Sequence, residues 1–104
     1  MTNKGVNPAE INIIAGFVEN NGSSNSGQFS SHKISNGRYR VDFTKRLEKL
    51  PVVLITVDAK TRGGNWTGCA SVQSVSQNHF EVSIQDLGGG DATQGFNFLS
   101  IQPD

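Results

Sequence analysis

The stretch from Tyr39 to Val57 constrains the fold more than any other. Its first part, Tyr39-Arg40-Val41-Asp42-Phe43-Thr44, alternates apolar and polar residues with period 2, as a strand does when one face is buried and the other is wet. A charged link, Lys45 to Leu50, leads into Pro51-Val52-Val53-Leu54-Ile55-Thr56-Val57, which is apolar at nearly every position. Val52, Val53, Ile55 and Val57 are β-branched, so this second strand is expected to be covered on both faces. A strand of that kind needs a core on one side and another partner on the other.

The rest of the chain repeats the strand theme. Residues 1–9 read as a flexible N-terminal lead, and residues 10–104 as a single β-sandwich domain, a size that supports one hydrophobic core. Strands are expected at about 10–18, 28–34, 39–44, 51–57, 68–75, 80–85 and 95–102. Twelve glycines and the absence of a long 3.6-period apolar stripe argue for strands joined by turns. The fold class is therefore all-β, an antiparallel β-sandwich of six to seven short strands, with a small barrel as the alternative. Ser35-Asn36-Gly37-Arg38 reads as a hairpin whose two central residues both take positive φ. If strand direction alternates, the Asn36-Gly37 turn and the loops around Trp66 and Asp91 share one end, and the 20–27 loop and the link at Lys45 occupy the other.

The strand at 95–102 is double-sided as well. Phe96 and Phe98 share one phase and Leu99 and Ile101 the other, which requires a bulge or two buried faces. Two strands with surplus apolar faces predict a subunit interface, the alternative being cover by an intramolecular loop.

Nine basic and nine acidic residues leave the chain formally neutral, which argues against nucleic acid as a partner. Eight of the nine basic residues lie between Lys33 and Arg62, interspersed with Asp42, Glu48 and Asp58, the pattern of a solvated mixed-charge face, the alternative being an anion-binding patch. Cys69, the single cysteine, leaves no intramolecular disulfide and reads as a small buried hydrophobe. No apolar run reaches membrane-spanning length, and residues 1–9 lack the apolar core expected of a secretory signal. The expected location is extracellular or on a particle surface, reached without a signal peptide, and otherwise cytoplasmic.

No catalytic residue, metal ligand or cofactor motif emerges. His32 and His79 stand without a nucleophile or carboxylate motif, and no helix follows the Gly88–Gly90 run, as a phosphate loop would require. Asp86 and Asp91 flank that run and read as turn residues rather than calcium ligands, because hard cations want about six or more oxygens. Trp66 is the only tryptophan and lies among small polar residues in the 61–67 loop. One reading packs it against the sandwich end or into an interface. The other makes it a stacking surface for a sugar ring, with Arg62, Asn65 and Asp91 supplying hydrogen bonds.

The series Gly37-x-Tyr39-x-Val41-x-Phe43, Pro51-Val52-Val53, Val72-x-x-Val75-Ser76-x-x-x-Phe80-x-Val82 and Phe96-x-Phe98-Leu99-Ser100-Ile101 resembles the H-type lectin domain and similar modules at the tips of phage tail fibres. The similarity runs from Ile14 to Ile101. It implies a sandwich that trimerises through its sheets and binds N-acetylgalactosamine or a related sugar. Of the residues those lectins use, Gly16 and Glu19 correspond to a glycine and an acidic residue after the first strand. Thr67 or Gly68 stands where the lectins have a basic residue, and Asp86-Leu87 where they have an aromatic–histidine pair. A sugar site here is therefore built differently. The resemblance implies a homotrimer recognising galactose-type or N-acetylhexosamine-type glycans, or alternatively a trimerisation unit of a tail fibre without its own ligand.

Overall fold

A computed structural model describes residues 13–24, 26–58 and 67–103. The lead at 1–9 and the beginning of the first expected strand lie outside these residues, as do Arg62, Asn65 and Trp66. Seven strands are present: β1 (Ile13–Val18), β2 (Phe29–Ser35), β3 (Arg38–Phe43), β4 (Val52–Asp58), β5 (Gly68–Val75), β6 (His79–Asp86) and β7 (Gly95–Ile101). They form two antiparallel sheets, one ordered β1-β7-β4 and the other β2-β3-β6-β5, and the all-β sandwich expected from the sequence is what the chain adopts.

The period-2 patterns place the core between the sheets. Tyr39, Val41 and Phe43 of β3 point inward beside Phe80, Val82 and Ile84 of β6. From the opposite sheet, Ile14 and Val18 of β1 and Phe96 and Phe98 of β7 meet them. Phe98 is the hub, edge-on to Phe29 at 4.9 Å and to Phe80 at 5.1 Å. Each fully buried side chain of this size contributes about 1.5–3 kcal/mol through removal from water, so these rings dominate the cohesion between the sheets.

Three expectations need correction. The hairpin between β2 and β3 has positive φ only at Gly37 (74°), not at Asn36. A register shift between Lys33 and Ser35 inserts an extra residue, and that bulge supplies the twist that a second left-handed residue would otherwise provide. Glycine is required at position 37 on steric grounds too, because a Cβ there would approach Ile84 O to 2.7 Å.

The second correction concerns the 19–28 segment. β1 ends, and β3 and β7 begin, at the end of the sandwich marked by the Tyr39–Phe96 ring contact. β2 is antiparallel to β3 and ends there as well, so β1 and β2 run in the same direction in different sheets. Strand direction does not alternate at this step, and the segment therefore spans the length of the sandwich instead of closing its far end. Gly22, at φ 94°, passes so close to the β2 backbone that a Cβ would lie 2.9 Å from the His32 carbonyl carbon. The Ser31 hydroxyl donates to Gly22 O at 2.7 Å and fastens the crossing. The link at 44–51 and the 76–78 turn do share the other end, joined by hydrogen bonds from Gln77 Nε2 to Leu47 O and Glu48 O.

Third, Cys69 is exposed. It faces outward on β5, an edge strand, while Ala70 and Val72 face the core opposite Ile84 and Val82.

The double-sided strands resolve into one feature. Pairing is continuous along both edges of β7, so no bulge intervenes and its two phases face opposite ways. On the outer face of this sheet, Ile13, Ile101 and Val52 lie abreast, followed by Ala15, Leu99 and Leu54, then Phe17, Asn97 and Thr56. Seven of these nine residues are apolar and none is charged. Ile13, Val52 and Leu54 are 48%, 51% and 56% exposed. Among the described residues the expected cover on both faces of β4 is therefore absent: β4 is an edge strand and no described segment lies over it.

Candidate functional site

The residues singled out in the sequence fall into two described groups. Gly16 and Glu19 sit together on the β1 side, in a groove of about 370 Å³ floored by Gly16, Phe17 and Phe29 and rimmed by Glu19, Ser23 and Ser26. Gly16 has a packing role there: a Cβ would collide with the Phe29 ring, which occupies the space a side chain would take on its way to Phe98. Glu19 is exposed and begins a tight turn, its N–H donating to Ser23 O and its carbonyl accepting from Gly22 N, both at 2.8 Å. That turn holds Ser23 and Ser24 over the β1 backbone.

Asp86 and Asp91 form the second group, at the end of the sandwich where β1 finishes. Asp86 Oδ1 accepts from Gly88 N and Gly90 N, each at 2.9 Å, so this carboxylate organises the glycine turn that follows it. Both charge-assisted bonds fall on Oδ1, about half of the carboxylate's acceptor capacity. Asp91 is exposed and bridges back to Gln85. Gly68 pairs with Asp86, which puts the entry to β5 at this same end. Among the described residues no cluster of three or more His, Cys, Asp or Glu could hold a metal ion. Trp66, Arg62 and Asn65 precede Gly68 in the chain and lie outside the described residues.

Tyr39 joins these parts. Its hydroxyl donates to Asn20 O at 2.7 Å, and the Thr93 side chain and Gln94 backbone bond to the same oxygen. Burial raises its pKa above the usual 10.0, although the Thr93 and Gln94 bonds act in the opposite direction. One phenol thus ties the start of the β1–β2 crossing to the β6–β7 connection.

Among the described residues, the nearest approach to a nucleophile–base pair is Ser76 Oγ, 3.0 Å from His79 Nδ1. That oxygen also accepts the amides of Asn78 and His79, both at 3.1 Å, which makes it a turn cap. Asp42 is the cross-strand neighbour of His79, but its carboxylate is engaged by Arg40 Nε at 3.0 Å. Arg38 and Arg40 also pair with Glu81, at 3.6 and 3.8 Å, so the outer face of the β3–β6 pair carries both signs of charge, with Asp42 the one acid of the 33–62 segment in this network.

Phe17, Phe29, Ser23 and Ser26 cannot be recognised from the sequence as parts of one groove. The serine-rich segment reads as a loop at an end, and only the Gly22 crossing brings those serines beside β1. Glycine at a point of close approach was the one available signal, and a lone glycine in a polar loop does not distinguish a crossing from a turn.

Compared with family models, with curated proteins and with solved structures, the chain matches none.

Proposed function

We propose that the chain is a carbohydrate-binding, lectin-like module that acts as a homotrimer, with the β1 groove as its sugar site. The observation that carries this reading is the lining of the groove, which brings half-buried Phe17 beside serine hydroxyls and one carboxylate, over the buried Phe29 ring. A hexose offers an apolar ring face and a fan of hydroxyls, and aromatic surface with hydroxyl and carboxylate groups complements both. Gly16 and Glu19, the two positions that correspond to the sugar-binding residues of the H-type lectins, line that one groove. The favoured ligands are galactose-type or N-acetylhexosamine-type glycans. Trp66, Arg62 and Asn65, with Asp86 and Asp91, remain the candidates for a second contact.

Self-association through the apolar outer face of the β1-β7-β4 sheet supports avidity, since single sugar sites are weak and linked copies raise apparent affinity without new contacts. A glycan array probed at high protein concentration tests the reading, with Glu19→Gln as the control. Signal on galactose- or hexosamine-bearing glycans that falls in Glu19→Gln supports it. A blank array from a protein that is trimeric in solution removes the sugar site and leaves the second reading, a trimerisation unit of a tail fibre. That alternative draws on the same uncharged outer face and needs no groove.

A further inference from the structure

A second groove of about 370 Å³ opens at the opposite end of the sandwich, between the 44–48 link and residues 27–28. Ile14 and Leu47 form its floor, and Gln28, Lys45, Arg46 and Glu48 surround it. Its backbone is braced on three sides. Thr44 N donates to Gln28 O at 3.0 Å and Thr44 Oγ1 to Gly27 O at 2.9 Å, while Leu47 N donates to Gln77 O at 2.9 Å. Arg46 Nη2 donates to Gln77 Oε1 at 2.8 Å, which holds the guanidinium at the rim with its other N–H groups uncommitted.

The charges at this end behave unlike those on the β3–β6 face. Among the described residues, ion pairs engage only Arg38 and Arg40 with Asp42 and Glu81, so neither Lys45 nor Arg46 has a carboxylate partner. The backbone amides of Lys45 and Arg46 likewise donate to no described group, whereas those of Thr44 and Leu47 do. Glu48 is the single carboxylate against two cations, leaving the groove net positive. Two cations and two consecutive amides without acceptors, on a braced segment beside a concavity, match an oxyanion in charge and in hydrogen-bonding sense.

We propose that this groove binds an oxyanion, a carboxylate, sulfate or phosphate group carried by a small ligand, with Lys45 and Arg46 as its binding residues. The site is separate from the β1 groove and does not depend on the sugar reading.

Amide-resolved NMR titration of the full chain tests it, with inorganic sulfate, glucuronate and glucose 6-phosphate as probes and neutral galactose as the control. The three acidic probes shift the amides of Lys45 and Arg46, and galactose does not. A preference for glucuronate or for glucose 6-phosphate assigns the oxyanion to an acidic sugar or a phosphate ester. Lys45→Gln, an exposed position whose side chain supports no part of the fold, weakens the effect about tenfold, the scale of one lost charge-assisted hydrogen bond. Arg46→Lys, which keeps the charge but loses the fork, weakens it less. Absence of shifts at residues 45 and 46 with every acidic probe, or equal shifts in wild type and Lys45→Gln, overturns the proposal. A galactose response elsewhere that Lys45→Gln leaves unchanged shows that the two sites are independent.

Discussion

Replacing Tyr39 with phenylalanine isolates one oxygen that holds two connections together. The ring is buried against Phe96 at 5.4 Å, and phenylalanine keeps that packing. What disappears is the bond to Asn20 O and the contacts to Thr93 and Gln94. A lost neutral hydrogen bond costs about 1 kcal/mol net, and an acceptor left dry raises the total to about 1–3 kcal/mol. In a domain of this size each kcal/mol moves the melting temperature by about 4–8 °C, so Tyr39→Phe is expected to melt roughly 4–24 °C lower. Calorimetry and urea unfolding measure this, and a loss below about 0.5 kcal/mol refutes the role given to the hydroxyl. The same group predicts a pH dependence. Burial raises its folded pKa above 10.0, so the folded state holds the proton more tightly than the unfolded chain. Its contribution is complete below the unfolded pKa and is lost as pH rises from about 10 through the folded value. Tyr39 is the only tyrosine, so tyrosinate absorbance reports it alone and is expected to appear together with unfolding. Free titration at the ordinary value in a folded protein contradicts the buried, bonded position.

Two further substitutions probe the core. Gly16→Ala forces the Phe29 ring off Phe98 and is expected to destabilise by about 1–3 kcal/mol in urea unfolding, as overpacking does. Ser100 is buried, with an Oγ that has no hydrogen-bond partner among the described residues, so Ser100→Ala is expected to stabilise by about 1 kcal/mol, seen as a higher melting temperature.

The strands were legible because their signal is local. Tyr39, Val41 and Phe43 alternate with polar residues, and all three are buried as that alternation requires. The surplus of β4 and β7 was legible for the same reason: Leu54 and Leu99 are out of phase with the core whatever the topology. Topology itself was not readable. Nothing in residues 19–28 records that β1 and β2 lie in different sheets and run the same way, and the groove around Phe17, Phe29 and Ser23 exists only because they do. The Asn36-Gly37 turn shows the intermediate case, where the dipeptide located the hairpin but the bulge beside it decided which residue takes positive φ. The exposure of Cys69 is not legible in the sequence, because it depends on which face of an edge strand the residue occupies, and its near neighbours Ala70 and Ser71 fit either phase.

Self-association through the β1-β7-β4 sheet is tested most directly by the solution mass of Leu54→Asp. Leu54 is more than half exposed in the single chain, so the protomer should fold unchanged, with an unaltered circular dichroism spectrum. In an assembly the aspartate becomes a buried, unpaired charge, which costs several kcal/mol per contact. Light scattering after size exclusion is expected to give a trimer for the wild type and a folded monomer for Leu54→Asp. A monomeric wild type at high concentration, or a variant whose trimer is as stable as the wild type's, contradicts the assignment of this face.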